Sequence, residues 1–259
     1  MLDLKKVNEE LATYIRPHTF PVAVKLLKSG EEIPPKTRLP QRDLGIQVAT
    51  CQAIAFARRH GWTLALNKAE HSCAPGLLAL GFAKPNEFYS AGNIAKDMYC
   101  TTLEAGAAME AAIPKFQPGQ YETIVTGPID RVSFEPDLIL MYGNSAQVMR
   151  LVQGALFHRG GALKSEAQGR LDCADMIVRT MQTKECQWVL PCTGDRQMAL
   201  TADDELCFTM PAERVEEVME GVRETHRFGI RYPVPATLQW TAKFPPKYNQ
   251  LYQMLTEQE

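Results

Sequence analysis

Two segments 100 residues apart constrain this chain more than anything else in it. Residues 47–74 laid on 147–174 without a gap coincide at Gln47/Gln147, Val48/Val148, Ala55/Ala155, Arg59/Arg159, Gly61/Gly161, Cys73/Cys173 and Ala74/Ala174. Both carry one pattern: a helix-like apolar stripe, a glycine stop, then a cysteine opening the next helix. A period near 100 is too long for a solenoid, so it predicts a duplicated domain and not an array of small units. The fold expected is α/β, with mixed sheets packed against helices and two pseudo-repeated halves, 1–120 and 121–259. Each half brings a cysteine-opened helix to a shared site, and the second half adds a C-terminal helical tail.

Local patterning fills in this outline. Leu4, Val7, Leu11 and Ile15 recur at helical spacing until Pro17. Residues 20–27, 62–66, 121–126, 137–142, 187–190 and 205–209 read as strands, and 87–92 as a strand and turn. Helices are expected over 47–60 before Gly61, from Ser72 or Cys73 onward, after Thr101-Thr102-Leu103-Glu104, and from Asn144 or Ser145 through Ala155. Asp172-Cys173 opens another, and Pro211 starts a long one with Val215, Val218, Met219 and Val222 as its stripe. Pro233, Pro235, Pro245 and Pro246 break the tail before a last helix around Leu251. Short strand-to-strand steps between 121 and 142 argue for a mixed sheet.

Composition removes several function classes. With Lys+Arg 28 against Asp+Glu 30 the formal charge is −2, which offers no broad basic field to a nucleic-acid backbone. No apolar run approaches the ~20 residues of a membrane span, and the N-terminus lacks a secretory apolar region. The expectation is a cytoplasmic protein with no nucleic-acid or membrane partner. It would meet a small-molecule substrate or a redox partner protein, with room for a homo-oligomer. Phosphate-cradling, zincin and nucleophile-elbow motifs are absent.

The seven cysteines are scattered, without any Cys-x-x-Cys. Four are placed for chemistry. Pro75 belongs in a first helical turn, so Cys73 stands at the positive end of a helix dipole that favours its thiolate. Cys173 is its match, Cys51 lies on the buried stripe one helix earlier, and Cys192 sits in a polar turn. Four soft ligands suit an iron–sulfur cluster or, alternatively, structural zinc, and wide scatter favours the cluster. Burial explains any one of these cysteines equally well. Cys100, Cys186 and Cys207 lie in or beside apolar runs and read as core.

Beside Cys192, Asp195 and Arg196 could hold a carboxylate or phosphate or bond a cluster's sulfurs, or simply pair to stiffen the turn. His71 could be a proton donor, a ligand or a solvated loop residue. Gln47 and Gln147 could face one cavity or only bond helix ends.

Cys51, His71-Ser72-Cys73, Phe134-Glu135-Pro136-Asp137 followed by Gln147, Cys173, and Cys192-Thr193-Gly194-Asp195-Arg196 together resemble the family called domain of unknown function 169, found in archaea and anaerobic bacteria. The resemblance runs from about Leu4 to Phe228. It implies an anaerobic, cytoplasmic setting in which iron–sulfur chemistry is common, and supplies no catalytic residue. The leading expectation is a cysteine-ligated metal protein, iron–sulfur before zinc, in electron transfer or redox chemistry on a small anionic substrate near Arg196. One alternative is a metal-free enzyme with Cys73 or Cys173 as nucleophile and His71 as base. Another is a non-enzymatic binding or assembly subunit that docks through its tail.

Overall fold

The computed structural model describes residues 2–234, 236 and 241–257, so Pro235 of the proline-broken tail lies outside the described residues. Short apolar stretches form β1 (Val22–Leu27), β2 (Leu64–Leu66), β3 (Thr123–Pro128), β4 (Leu138–Asn144), β5 (Gln187–Val189) and β6 (Glu205–Pro211). They lie in one sheet in the order β2-β3-β1-β4-β6-β5. Every pairing among these strands is antiparallel, which corrects the expected mixed sheet. The reason is topological. β1 and β2 do run in the same direction, but β3 is inserted between them, and β6 separates β4 from β5 in the same way. Both are split crossovers, so parallel neighbours never become hydrogen-bonded partners.

The helices are α1 (Leu4–Tyr14), α2 (Pro40–Leu44), α3 (Thr50–His60), α4 (Ala74–Ala79), α5 (Glu87–Ser90), α6 (Leu103–Ala112) and α7 (Ser145–Leu156). A π-helix at Ala174–Arg179 runs into α8 (Thr180–Thr183), then come α9 (Thr193–Met198), α10 (Val215–Arg227) and α11 (Pro246–Thr256). Their ends follow the expected chemistry. Thr102 caps α6 by accepting from the Ala105 amide, and Asn144 and Gln147 form a reciprocal capping box on α7. The strand expected at 87–92 is instead the short α5, because the Asn86 side chain accepts from the Tyr89 amide and starts a helical turn.

Side chains of alternate sign along each strand reach two cores. Val22, Val24, Leu26, Leu138, Leu140 and Tyr142 face one side, against Ala53, Ile54 and Ala57 of α3 and Met176 and Ile177 of the π-helix. Ile139, Met141, Phe208 and Met210 face the other, against α1, α7 and α10. There α7 and α10 touch backbone to backbone at glycines: a Cβ built on Gly221 would lie 2.1 Å from the Gly154 carbonyl oxygen.

The 100-residue register is not the one the strands follow. That offset superposes α3 on α7, yet the two helices cover opposite faces of the sheet. Outward from the central β1/β4 pair the strand order is instead a mirror, β1-β3-β2 against β4-β6-β5. In the second set the segment on α3's face is the π-helix, and the short helix after the outer strand is α9, as α4 is after β2. Cys51 and Cys173 thus both lie at the start of a segment on that face, and Cys73 and Cys192 both open short helices after the outer strands.

Candidate functional site

All four singled-out cysteines sit where a helix begins. Cys51 is the second residue of α3, and Cys73, Cys173 and Cys192 occupy the cap positions of α4, the π-helix and α9. Backbone bonds bring the first two together: Val48 donates to the Glu70 carbonyl at 3.0 Å and Ser72 to the Val48 carbonyl at 3.1 Å. In the second set a side chain does this work, since Asp172 accepts from the Cys192 amide at 3.0 Å and from its thiol at 3.3 Å. The two sets then cross. Ala199, at the end of α9, packs with Ala49, Cys51 and Ala55, while Cys73 packs both there and against the core that holds Cys173. The thiols lie in one another's field: Cys173 responds to Cys73, Cys51 and Cys192, and Cys51 to Cys192 and Cys73. Among the described residues, no three His, Cys, Asp or Glu side chains are grouped so as to hold a metal ion.

Burial governs this cluster's protons. It pushes Cys51 and Cys173 far up, Cys192 to about 11, and Cys73 upward as well. The expected thiolate at Cys73 is therefore corrected: the Gly76 amide pulls its proton affinity down, but desolvation outweighs it. Burial likewise lifts Asp172 well above the carboxylate range, and the negative charge of Asp195 lifts it further.

Asp195 is 1% exposed and accepts from the Tyr142 hydroxyl at 2.9 Å and the Thr201 hydroxyl at 3.0 Å. Behind it lies Arg58, also 1% exposed, which donates to Thr201 at 2.8 Å, pairs with Glu205 at 2.7 Å, and stacks 4.0 Å from the Tyr142 ring centre. Two non-glycine residues beside this network have left-handed backbones, Leu171 (φ 55°) next to Asp172 and Leu200 (φ 56°) next to Thr201. Together with the π-helix after Cys173, these are departures from regular geometry of the kind that collect at functional sites.

His71 is buried, not solvated. Its Nδ1 accepts from the Cys73 amide at 3.1 Å, which assigns the ring proton to Nε2, and that proton is donated to Thr50 Oγ1 at 2.8 Å. Burial lowers its pKa to about 4, so the ring is neutral. Asp195 and Arg196 turn to different partners, and the Arg196 guanidinium bonds the Ala202 carbonyl across the turn. Gln47 and Gln147 do not share a cavity: exposed Gln47 bonds the Ala69 carbonyl, and buried Gln147 bonds the carbonyls of Ile15 and Arg16. Cys186 and Cys207 are core as expected, whereas Cys100 is half-buried in a turn, its thiol 3.5 Å from the Thr102 carbonyl oxygen. Sequence reasoning missed Arg58, Tyr142 and Thr201, which carry no motif. It read Asp172 only as a helix opener, although its position beside Cys173 was a usable signal.

Comparison with known proteins gives a family and no reaction. A family model, domain of unknown function 169, described as uncharacterised ArCR, matches residues 10–221. The uncharacterized protein MJ0308 of Methanocaldococcus jannaschii is 31% identical over 204 residues, covering 78% of this chain and 85% of its own length. No solved structure matches the chain. Among the described residues no helix is long and apolar enough to cross a membrane.

Proposed function

This chain belongs to the domain of unknown function 169 family, and we propose that it is a cysteine-ligated metal protein whose Cys51, Cys73, Cys173 and Cys192 hold an iron–sulfur cluster. What supports this reading is that four thiols, two buried and two half-buried and each from the start of a different helix, lie close enough for Cys173 to feel the charge of the other three. The donor set suits the group. Thiolates are the usual ligands of such clusters, and helix starts offer backbone amides to sulfur and a dipole that favours negative charge. A single tetrahedral zinc, with Zn–S bonds near 2.3 Å, would need sulfurs drawn to roughly 4 Å of one another. The four cysteines are scattered along the chain and lack the closely spaced pairs usual in zinc sites, which favours the cluster.

When bound, the cluster supplies one-electron chemistry. The chain's own part is to bind, to exclude water and to manage protons. Without metal the thiols are protonated, so ligation must release protons and tightens as pH rises. Asp172 fixes Cys192 through two hydrogen bonds, and the Tyr142–Asp195–Thr201–Arg58 network holds the turn that carries it. The role proposed is electron transfer or redox chemistry on a small anionic substrate. Protein purified without oxygen should show broad visible absorption and contain both iron and acid-labile sulfide. A colourless preparation with neither would overturn the assignment.

The metal-free nucleophile finds less support, because burial makes His71 a weak base and both its ring nitrogens are engaged, Nδ1 by the Cys73 amide and Nε2 by Thr50. One observation favours the assembly reading. α11 has no buried residue and exposes Tyr248, Leu251, Tyr252 and Leu255, outside the family-matched residues 10–221. Under that reading a chain ending at Phe228 loses partner association while its metal content is unchanged. Loss of metal without loss of association would point back to the cluster.

A further inference from the structure

A cavity of about 560 Å³ opens between the end of α1, the residues leading into β1 and the end of α3. Its lining includes Arg16, His18, Arg58 and Arg59 and contains no carboxylate. Glu205 stands behind it and is shared between Arg58 at 2.7 Å and Arg59 at 3.5 Å. Glu205 and buried Asp195 act on Arg58, and Glu205 also on Arg59, so two acids face three arginines and positive charge remains in excess. The Arg16 guanidinium and the His18 ring have no hydrogen-bond or ion-pair partner among the described residues, and the Arg59 Nε is buried without an acceptor.

The backbone beneath these donors is pinned, while the Arg16 and His18 side chains are exposed. Arg16 has a left-handed backbone (φ 58°), an unfavourable conformation for a long side chain. Buried Gln147 clamps it, donating to the Arg16 carbonyl at 2.7 Å and to the Ile15 carbonyl at 3.0 Å, while the Arg16 amide bonds the Leu11 carbonyl at 2.8 Å. The Phe20 amide bonds the Arg58 carbonyl at 2.9 Å, which ties the segment before β1 to the end of α3. Pro17, Phe20 and Pro21 give the cavity an apolar wall beside its cations.

We propose that this cavity binds a small organic anion, its carboxylate or phosphate held by Arg16, His18 and Arg59 and its apolar body set against Phe20 and the prolines. Arginine forks match both oxyanions, and the volume lies within the range of small-molecule sites, about 300 to 1,000 Å³. No cysteine lines this cavity, and the three groups assigned to the anion lie outside the network behind the thiols, which Arg58 shares with the cavity wall.

Calorimetric titration of the intact chain with phenyl phosphate, phenylacetate and benzyl alcohol tests it. At least one of the two anions should bind, weakening as sodium chloride is raised, with benzyl alcohol at least ten-fold weaker. Which anion binds tighter assigns the site to phosphate or carboxylate. Arg16→Asn combined with His18→Gln should weaken that binding ten-fold or more, asparagine being tolerant of the left-handed backbone. Failure of both anions to bind at millimolar concentration overturns the proposal. So does binding that benzyl alcohol equals, that salt leaves unchanged, or that the double variant retains.

Discussion

The Tyr142 hydroxyl donates to Asp195 Oδ2 at 2.9 Å, which fastens the middle of β4 to the short helix that Cys192 opens. Desolvation and the adjacent negative charge of Asp195 push the tyrosine's own ionisation far upward, so it remains a donor at any working pH. Tyr142→Phe removes one of the donors to Asp195 and leaves Thr201 and the neighbouring Asp172 carboxyl. Since hydrogen bonds to charged groups contribute about 1.5 to 3 kcal/mol, urea unfolding should show a loss of that order. A change below about 0.5 kcal/mol would mean that Asp195 is satisfied some other way.

Single replacements separate site from core. Cys51→Ser, Cys73→Ser, Cys173→Ser and Cys192→Ser should each lose most of the iron and acid-labile sulfide of an anaerobic preparation. Cys186→Ala and Cys207→Ala should keep both, because these thiols are wholly buried in the cores and not at helix starts. Equal retention in all six variants would remove the four-cysteine site.

Alkylation of metal-free native protein at pH 8 should label Cys100 first, since it is half-buried in a turn while burial keeps Cys51, Cys73, Cys173 and Cys192 protonated. Peptide mass spectrometry against time gives the order. A Cys73 that reacts faster than Cys100 would restore the nucleophile reading.

His71 ties stability to acid. Its pKa falls from an ordinary 6.5 to about 4 on folding, so between those values the unfolded chain binds more protons than the native one. Stability is complete above about 6.5 and declines as pH falls toward 4, by at most about 3 kcal/mol at 1.36 kcal/mol per pH unit. Urea midpoints measured across pH 4 to 7 should fall more steeply for the parent than for His71→Gln. Parallel curves would contradict a buried neutral ring.

Gly221→Ala tests the contact between α7 and α10. The added methyl would sit 2.1 Å from the Gly154 carbonyl oxygen and 2.8 Å from Phe157 Cβ, so the helices must separate. Overpacking costs about 1 to 3 kcal/mol, and backbone contact places this variant at the upper end. A melting temperature within 2 °C of the parent would show that the helices move apart freely.

Much of the chain's architecture was readable before any coordinates. Short apolar runs, alternating only in the first, located all six strands, and side-chain caps such as Thr102 and Asn144 marked helix starts, because both signals are local: a strand's apolar faces and a helix's free amides depend on residues within a few positions. The strand misread at 87–92 came from an apolar run too short to show a period, decided by the Asn86 cap. Fidelity was lost wherever pairing reached across the chain.

The sequence by itself determined that the chain is α/β, that Cys73 opens a helix, and that Cys51 is buried. Only the tertiary structure decided that the strand pairings are antiparallel, that α3 and α7 lie on opposite faces of the sheet, and that Arg58, Tyr142 and Thr201 stand behind the thiols. The physical reason is that periodicity records which face of an element is apolar, while strand order and the face on which α7 lands depend on contacts between residues far apart in the chain, such as Gly154 with Gly221 and Val22 with Leu140. A hydrogen bond such as Tyr142 to Asp195, 53 residues away, leaves no periodic trace in either segment.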